Sequence, residues 1–151
     1  MLRYIGFSLT HFWFPDLIIK LRSTIHHSYL QANPNGKVYA SWTGNSDNEL
    51  WEVHYIPESS NKIKLKNVAT GQWLTEKDTG RLKSRVFTSS NFQGGIATWE
   101  VIGRLENNSQ VSLKSYYGLY LHRCGIILSF WCEITTFFSH EGNRWTVLIQ
   151  N

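Results

Sequence analysis

The chain has 151 residues and a formal net charge of +4, and 42% of its residues are hydrophobic. This length fits one domain and supplies enough apolar side chains for a core, which excludes a disordered segment. Its 15 lysines and arginines are spread along the sequence, whereas nucleic-acid binding favours a basic stripe. Cys124 and Cys132 fit no metal-ligand spacing, so they are either two buried thiols or one disulfide within a hairpin.

The first 17 residues are apolar and carry Arg3, which gives them some likeness to a secretory signal. Polar residues such as Ser8 and His11 interrupt the run, and no small-residue cleavage site follows before Pro15. The run is also too short and too polar to span a bilayer. We predict that residues 1–17 form a first strand or an N-terminal extension, unless the true start lies downstream. The compartment stays open between the cytoplasm and non-classical secretion.

Three segments of the chain then begin alike and end alike. Each begins with alternating apolar and polar residues, the pattern of a half-buried strand, at residues 19–23, 63–67 and 111–115. A turn and a second short strand follow, at residues 28–30, 72–74 and 119–121. Each segment closes on a Trp-x-Val motif, and these tryptophans, Trp51, Trp99 and Trp145, recur roughly every 46 to 48 residues.

Turn residues separate the strands of each copy. Gly71 and Gly118 supply the first turn in copies two and three, where copy one has His26 and His27 instead. Residues 33–36 and 78–80 mark the next turn in copies one and two, whereas copy three is degenerate there.

No window has a helical period, and a four-strand unit cannot bury its apolar face alone. Three such units can close into a barrel and share one core. We therefore predict a single all-β domain with a β-trefoil fold and copies at about 18–56, 62–104 and 110–151. The closing tryptophans are predicted to lie in its core.

The first copy resembles a repeat of the ricin B-chain-type lectins. Residues 48–51 stand where that family has Asn-Gln-x-Trp, Trp42 stands near its stacking aromatic, and Gln31 stands at its sugar-binding Asp. The resemblance implies a β-trefoil that binds carbohydrate. The chain departs from the family pattern in lacking its cysteine pairs, in the residues at the motif Gln (Glu49, Ala97, Asn143) and in those at the binding Asp (Gln31, Thr75, His122).

Residues 111–121 resemble a repeat of the fascin and hisactophilin group, whose repeats often read V-x-L-K-S-x-x-G-x-Y-L. That group also consists of β-trefoils and includes actin-bundling proteins. This resemblance implies the same fold with actin or another protein as the partner.

Trp42 has no tryptophan counterpart in the other copies, so the repeat does not require it. An exposed aromatic ring stacks on the apolar face of a sugar, and amide or carboxyl groups take its hydroxyl rim. We therefore predict a glycan site with Trp42 as the platform and Gln31, Asn45 and Asn48 around it. The alternative is that Trp42 packs against the barrel wall. Phe87 offers a weaker aromatic of this kind in copy two.

No nucleophile, phosphate-loop or metal-ligand motif is present, so we expect neither catalysis nor a bound metal or cofactor. Adjacent His26 and His27 would point to opposite faces of an extended chain and would not chelate jointly. Three hypotheses remain: a glycan-binding module, a fascin-like actin- or protein-binding trefoil, and a structural or toxin-associated trefoil without a ligand.

Overall fold

A computed structural model describes residues 17–42, 46–77, 85–90, 94–123, 131–137 and 143–151. Twelve strands dominate these ranges: β1 (Leu17–Ser23), β2 (Tyr29–Ala32), β3 (Val38–Ser41), β4 (Trp51–Tyr55), β5 (Lys62–Asn67), β6 (Trp73–Lys77), β7 (Arg85–Ser89), β8 (Trp99–Ile102), β9 (Gln110–Lys114), β10 (Tyr120–Arg123), β11 (Trp131–Phe137) and β12 (Trp145–Ile149). Helical structure in the same ranges is limited to two short 3₁₀ segments, Asp47–Glu49 and Gly94–Ala97. The all-β prediction is confirmed.

Six strands close into an antiparallel barrel through the pairs β1–β4, β4–β5, β5–β8, β8–β9, β9–β12 and β12–β1. Closure removes the exposed strand edges that four strands alone would present. The other six strands form the hairpins β2–β3, β6–β7 and β10–β11. These hairpins pair side by side through β3–β11 and β7–β11 and cap the barrel. This arrangement of three four-strand groups is the predicted β-trefoil.

The closing tryptophans Trp51, Trp99 and Trp145 are fully buried at the centre of the core, as predicted. Each donates its indole Nε1–H to the backbone carbonyl of a leucine in its own copy, at 2.9 Å to Leu30, 3.1 Å to Leu74 and 3.2 Å to Leu121. A buried indole N–H without an acceptor would cost free energy. The bond therefore lets each copy bury a tryptophan against its own second strand.

The turn between the first two strands of each copy uses one left-handed residue. Gly71 has φ 70° and Gly118 has φ 80°, and in copy one His27 takes this position with φ 58°. A side chain in this conformation is strained relative to glycine. His27 therefore replaces a turn glycine at a cost in backbone free energy.

The position of the lectin motif's Gln holds a buried charge in copy one. Glu49 is fully buried, and its Oε1 lies 2.8 Å from Nζ of the mostly buried Lys20. Copies two and three have Ala97 and Asn143 at this position, so the ion pair belongs to copy one alone. The first 16 residues, Asn45 and Cys124 lie outside the described ranges, as does the side chain of Cys132. The predictions made for them are therefore not addressed by the structure.

Candidate functional site

Trp42 follows the end of β3 and is 45% exposed, whereas Trp51 in the same segment of sequence is fully buried. Its indole Nε1 donates a 2.9 Å hydrogen bond to the carbonyl oxygen of His26, in the turn between β1 and β2. The ring is therefore held in one place while much of its surface meets solvent. Trp51 is therefore a core residue, whereas Trp42 presents part of its ring to solvent.

Gln31 lies elsewhere on the copy-one hairpin. It is only 3% exposed, and Tyr39, its cross-strand partner in β3, donates its hydroxyl to Gln31 Oε1 at 3.2 Å. Trp42 is three residues beyond Tyr39, a distance of about 10 Å along an extended strand. An odd step of this kind also changes the face of the strand. The described side-chain partner of Gln31 is therefore Tyr39.

Asn48 lies in the 3₁₀ segment before β4 and is half-buried. Its backbone carbonyl accepts a 2.8 Å hydrogen bond from Asn67 Nδ2, at the end of β5. This contact ties Asn48 to copy two, whereas Trp42 contacts the first turn of copy one. Asn45 lies outside the described residues. Of the three predicted site residues that the structure describes, Trp42 is the most exposed.

Sequence reasoning missed Tyr39, a half-buried aromatic whose hydroxyl contacts Gln31. The signal was present, because Tyr39 stands as far before Trp51 as Phe87 stands before Trp99. Thr75 and Phe87 are cross-strand partners in copy two, as Gln31 and Tyr39 are in copy one. Aligning the copies on their closing tryptophans places Tyr39 opposite Phe87 and would have pointed to Tyr39.

The turn that receives the Trp42 hydrogen bond packs against copy three. Thr24 N donates to the carbonyl of Arg144 at 3.0 Å, and Arg123 Nε donates to Ser28 Oγ at 2.6 Å. Next to Arg123 on β10, the His122 ring nitrogen Nδ1 contacts the side-chain oxygen of Asn143. We call the surface formed by Trp42, residues 24–28, His122, Arg123, Asn143 and Arg144 the Trp42 surface.

Positive charge is concentrated on the Trp42 surface. Burial lowers the pKa of His26, and the neighbouring charges of Arg123, His122 and His27 lower it further. Arg123 is only 4% exposed, so it acts on the histidines from beneath the surface. A cation is disfavoured at His26 because other cations already surround it.

The family model for a beta-trefoil domain of unknown function, DUF569, matches residues 14–149. The chain belongs to the DUF569 family. No curated protein sequence matches it. The membership accounts for the fold of the chain.

Three solved structures share the fold of this DUF569 domain. The designed three-fold symmetric protein ThreeFoil has a TM-score of 0.74 at 18% identity, covering 87% of this chain and 97% of its own. An SDF2-like protein from Arabidopsis thaliana has a TM-score of 0.71 at 17% identity, with 87% and 92% covered. A Caenorhabditis elegans protein of unknown function has a TM-score of 0.70 at 18% identity, with 87% and 93% covered. At these identities the similarity shows the fold alone.

A cavity of about 550 Å³ in the DUF569 domain lies between the β2–β3 turn and β7. Phe87, the aromatic noted in copy two, lines it together with Lys37 and Lys77. Gly36 allows the two copies to approach, since a Cβ there would lie 3.1 Å from the Thr88 carbonyl oxygen. This cavity is formed by hairpin tips and is separate from the Trp42 surface.

Within the described ranges, no three His, Cys, Asp or Glu side chains are grouped closely enough to hold a metal ion. The same part of the DUF569 domain contains no helix with the length and apolarity that a membrane span requires.

Proposed function

We propose that this DUF569 domain is a non-catalytic carbohydrate-binding module and that Trp42 is the ring on which a sugar stacks. The observation that supports the proposal is the combination of 45% exposure with a hydrogen bond from Nε1 to the His26 carbonyl. A fixed ring offers its apolar face without losing rotamer freedom on binding. The buried Trp51 shows that the same segment can bury a tryptophan where the core requires it.

Polar groups near this ring suit the hydroxyl rim of a sugar. The His26 and His27 side chains lie on the turn that holds the Trp42 indole, and His122, which contacts the buried Asn143, lies across the junction with copy three. A neutral imidazole can both donate a hydrogen bond to a hydroxyl group and accept one from it. Gln31 and Asn48 make their described contacts elsewhere, so the proposal rests on Trp42.

The proposal includes the absence of turnover. Glu49 and Glu76 are fully buried carboxylates, and they contact Lys20 Nζ at 2.8 Å and the Thr136 hydroxyl at 2.7 Å, respectively. Both groups are engaged inside the fold, whereas a catalytic carboxylate has to reach a bound substrate. Their contacts fit structural roles.

A second candidate is a protein-binding trefoil, with actin or another protein as partner and no sugar. It is favoured by Ile25, which is 57% exposed and directly precedes His26 beside Trp42. A bare aliphatic side chain next to an exposed indole suits the apolar centre of a protein interface. A bound sugar would not require contact with Ile25, because stacking involves only the aromatic ring of Trp42.

A glycan array probed with the purified protein, followed by calorimetric titration of the strongest glycan, tests the proposal. Trp42→Ala should lower the affinity for that glycan at least about tenfold, since the stacking surface is lost. The matched control is Tyr116→Ala, which removes a 65% exposed ring from the equivalent turn of copy three and should leave affinity unchanged.

Actin co-sedimentation and Ile25→Ser separate the two candidates. The carbohydrate proposal predicts glycan binding that survives Ile25→Ser and no co-sedimentation above background. An array without any bound glycan, together with co-sedimentation that Ile25→Ser abolishes, would replace the carbohydrate proposal by the protein-binding one.

A further inference from the structure

We infer that the sugar bound by the Trp42 surface is an acidic one, whose carboxylate or sulfate meets the basic side chains around Trp42. This inference rests on the proposed function and names the ligand class of the same site. The pseudo-threefold fold repeats the same junction between copies three times, so the three junctions can be compared within one molecule.

Each junction joins the first turn of one copy to the preceding copy in the ring. In the junction at Trp42, Thr24 N donates to the Arg144 carbonyl at 3.0 Å. At the next junction Val68 N donates to the Leu50 carbonyl at 2.9 Å, which is the same bond at equivalent positions. The fold therefore builds this backbone contact whether its side chains are basic or apolar.

The three junctions differ in charge. The Trp42 surface carries His26, His27, His122, Arg123 and Arg144. The equivalent positions of the second junction hold Thr70, Gly71, Gln31, Ala32 and Leu50, with Glu49 beside them. Those of the third hold Tyr117, Gly118, Thr75, Glu76 and Thr98. Two arginines and three histidines thus occupy positions that carry no positive charge in either of the other copies.

This basic cluster costs stability. The charges of Arg123, His122 and His27 lower the pKa of His26, which means that they repel its protonated form. His27 also occupies the left-handed turn position that is glycine in copies two and three. Repulsion and backbone strain that the fold does not require tend to persist at binding sites. An anionic ligand would relieve the repulsion.

The arrangement of these side chains fits a sugar ring that is apolar on one face and carries a negative charge at its edge. The sugar face stacks on Trp42, which is fixed to the turn carrying the histidines. At the edge, the half-buried His26 and the exposed His27 and Arg144 can make charge-assisted hydrogen bonds to an anion. The buried Arg123 contributes its field through protein of low dielectric constant.

Binding is therefore expected to strengthen at acidic pH. Histidine gains a proton near pH 6.5, and the pKa of His26 is lowered by burial and by the surrounding cations. Among the described residues, the charged groups that act on His26 are His27 on its own turn and His122 and Arg123 on β10. Because all three are basic, an added proton raises the local positive charge and the affinity for an anion.

Calorimetric titration of the whole protein with three matched oligosaccharides tests the inference. The probes are tetragalacturonic acid, its neutral galactose counterpart and a galactose-6-sulfate tetrasaccharide, at about pH 7.5 and about pH 5.5. An acidic probe should bind at least about tenfold more tightly than the neutral one, and the ratio should grow at the lower pH. The two acidic arms show whether carboxylate or sulfate is preferred.

Arg144→Gln and His26→Gln should each weaken binding of the acidic probe several-fold more than binding of the neutral probe, which reduces the preference for the acidic probe. The control Arg104→Gln removes the same charge from an exposed side chain of the β8–β9 loop and should have no effect. Equal affinity for neutral and acidic probes, lost with Trp42→Ala, would overturn the acidic class and keep the carbohydrate proposal. Binding of polyphosphate but of no sugar would overturn both.

Discussion

The indole N–H of Trp42 donates a 2.9 Å hydrogen bond to the backbone carbonyl of His26, across the gap between the end of β3 and the first turn. This bond orients an exposed indole. The core tryptophans make the same kind of indole-to-carbonyl bond, but their rings are buried. Trp42 therefore shares the indole-to-carbonyl hydrogen bond of the core tryptophans without their burial.

This difference predicts unequal costs for the two tryptophans of copy one. Trp51→Ala should lower the free energy of unfolding by about 3–5 kcal/mol, because it empties the centre of the core. Trp42→Ala should cost about 1 kcal/mol or less, the contribution of one exposed hydrogen bond and partial packing. Urea denaturation of both variants measures the two values. Equal costs would show that Trp42 is a core residue.

The left-handed turn residue gives a second prediction. His27→Gly should raise the free energy of unfolding by about 0.5–1 kcal/mol, since glycine adopts this conformation without strain. The reverse change, Gly71→Ala, should lower the free energy of unfolding, because φ is 70° at this position. No atom lies within 4 Å of the added Cβ, so a steric clash does not add to the backbone strain. Thermal denaturation of both variants measures the two changes. A stability loss in His27→Gly would mean that the imidazole contributes more contact energy than strain.

The buried ion pair of copy one gives a third prediction. Lys20→Met should destabilise the fold by about 3 kcal/mol, because Glu49 then keeps an uncompensated buried charge. Adding Glu49→Gln, which restores the residue of the lectin motif, should recover most of the loss. The double-mutant cycle is measured by urea denaturation. Additive losses in the double variant would show that the two groups are not coupled.

The pKa of His26 makes stability depend on pH. The unfolded chain gains a proton at this residue near pH 6.5, whereas the folded protein does so only at lower pH, because burial and nearby cations lower the pKa. Between these values the unfolded state binds more protons, so the free energy of unfolding falls as the pH drops below about 6.5. His26→Gln should flatten this dependence in urea titrations at a series of pH values. An identical slope in both proteins would remove His26 as its cause.

The fold could be predicted from the sequence because its signals are local or repeated. The Trp-x-Val endings identified Trp51, Trp99 and Trp145 as core, and Gly71 and Gly118 marked the first turns. These features repeat at the same place in each copy, so three weak patterns reinforced one another.

The candidate site was less accessible to sequence reasoning because it forms only when the barrel closes. The contact between Ser28 and Arg123 joins residues 95 positions apart, and no local pattern places them together. Exposed Trp42 was identified because it breaks the repeat. Gln31 was grouped with it from the family pattern alone, whereas the register of β2 and β3 sets Gln31 against Tyr39.

The most direct test of the central claim is a proton–nitrogen NMR titration of the tryptophan indole groups with the strongest glycan found on the array. Trp42→Phe identifies the Trp42 signal by its absence. We predict that this signal shifts along a binding curve whose dissociation constant matches the calorimetric one. The signals of the buried indoles of Trp51, Trp99 and Trp145 should not shift. A stationary Trp42 signal in a saturated complex would contradict the assignment of the sugar platform to Trp42.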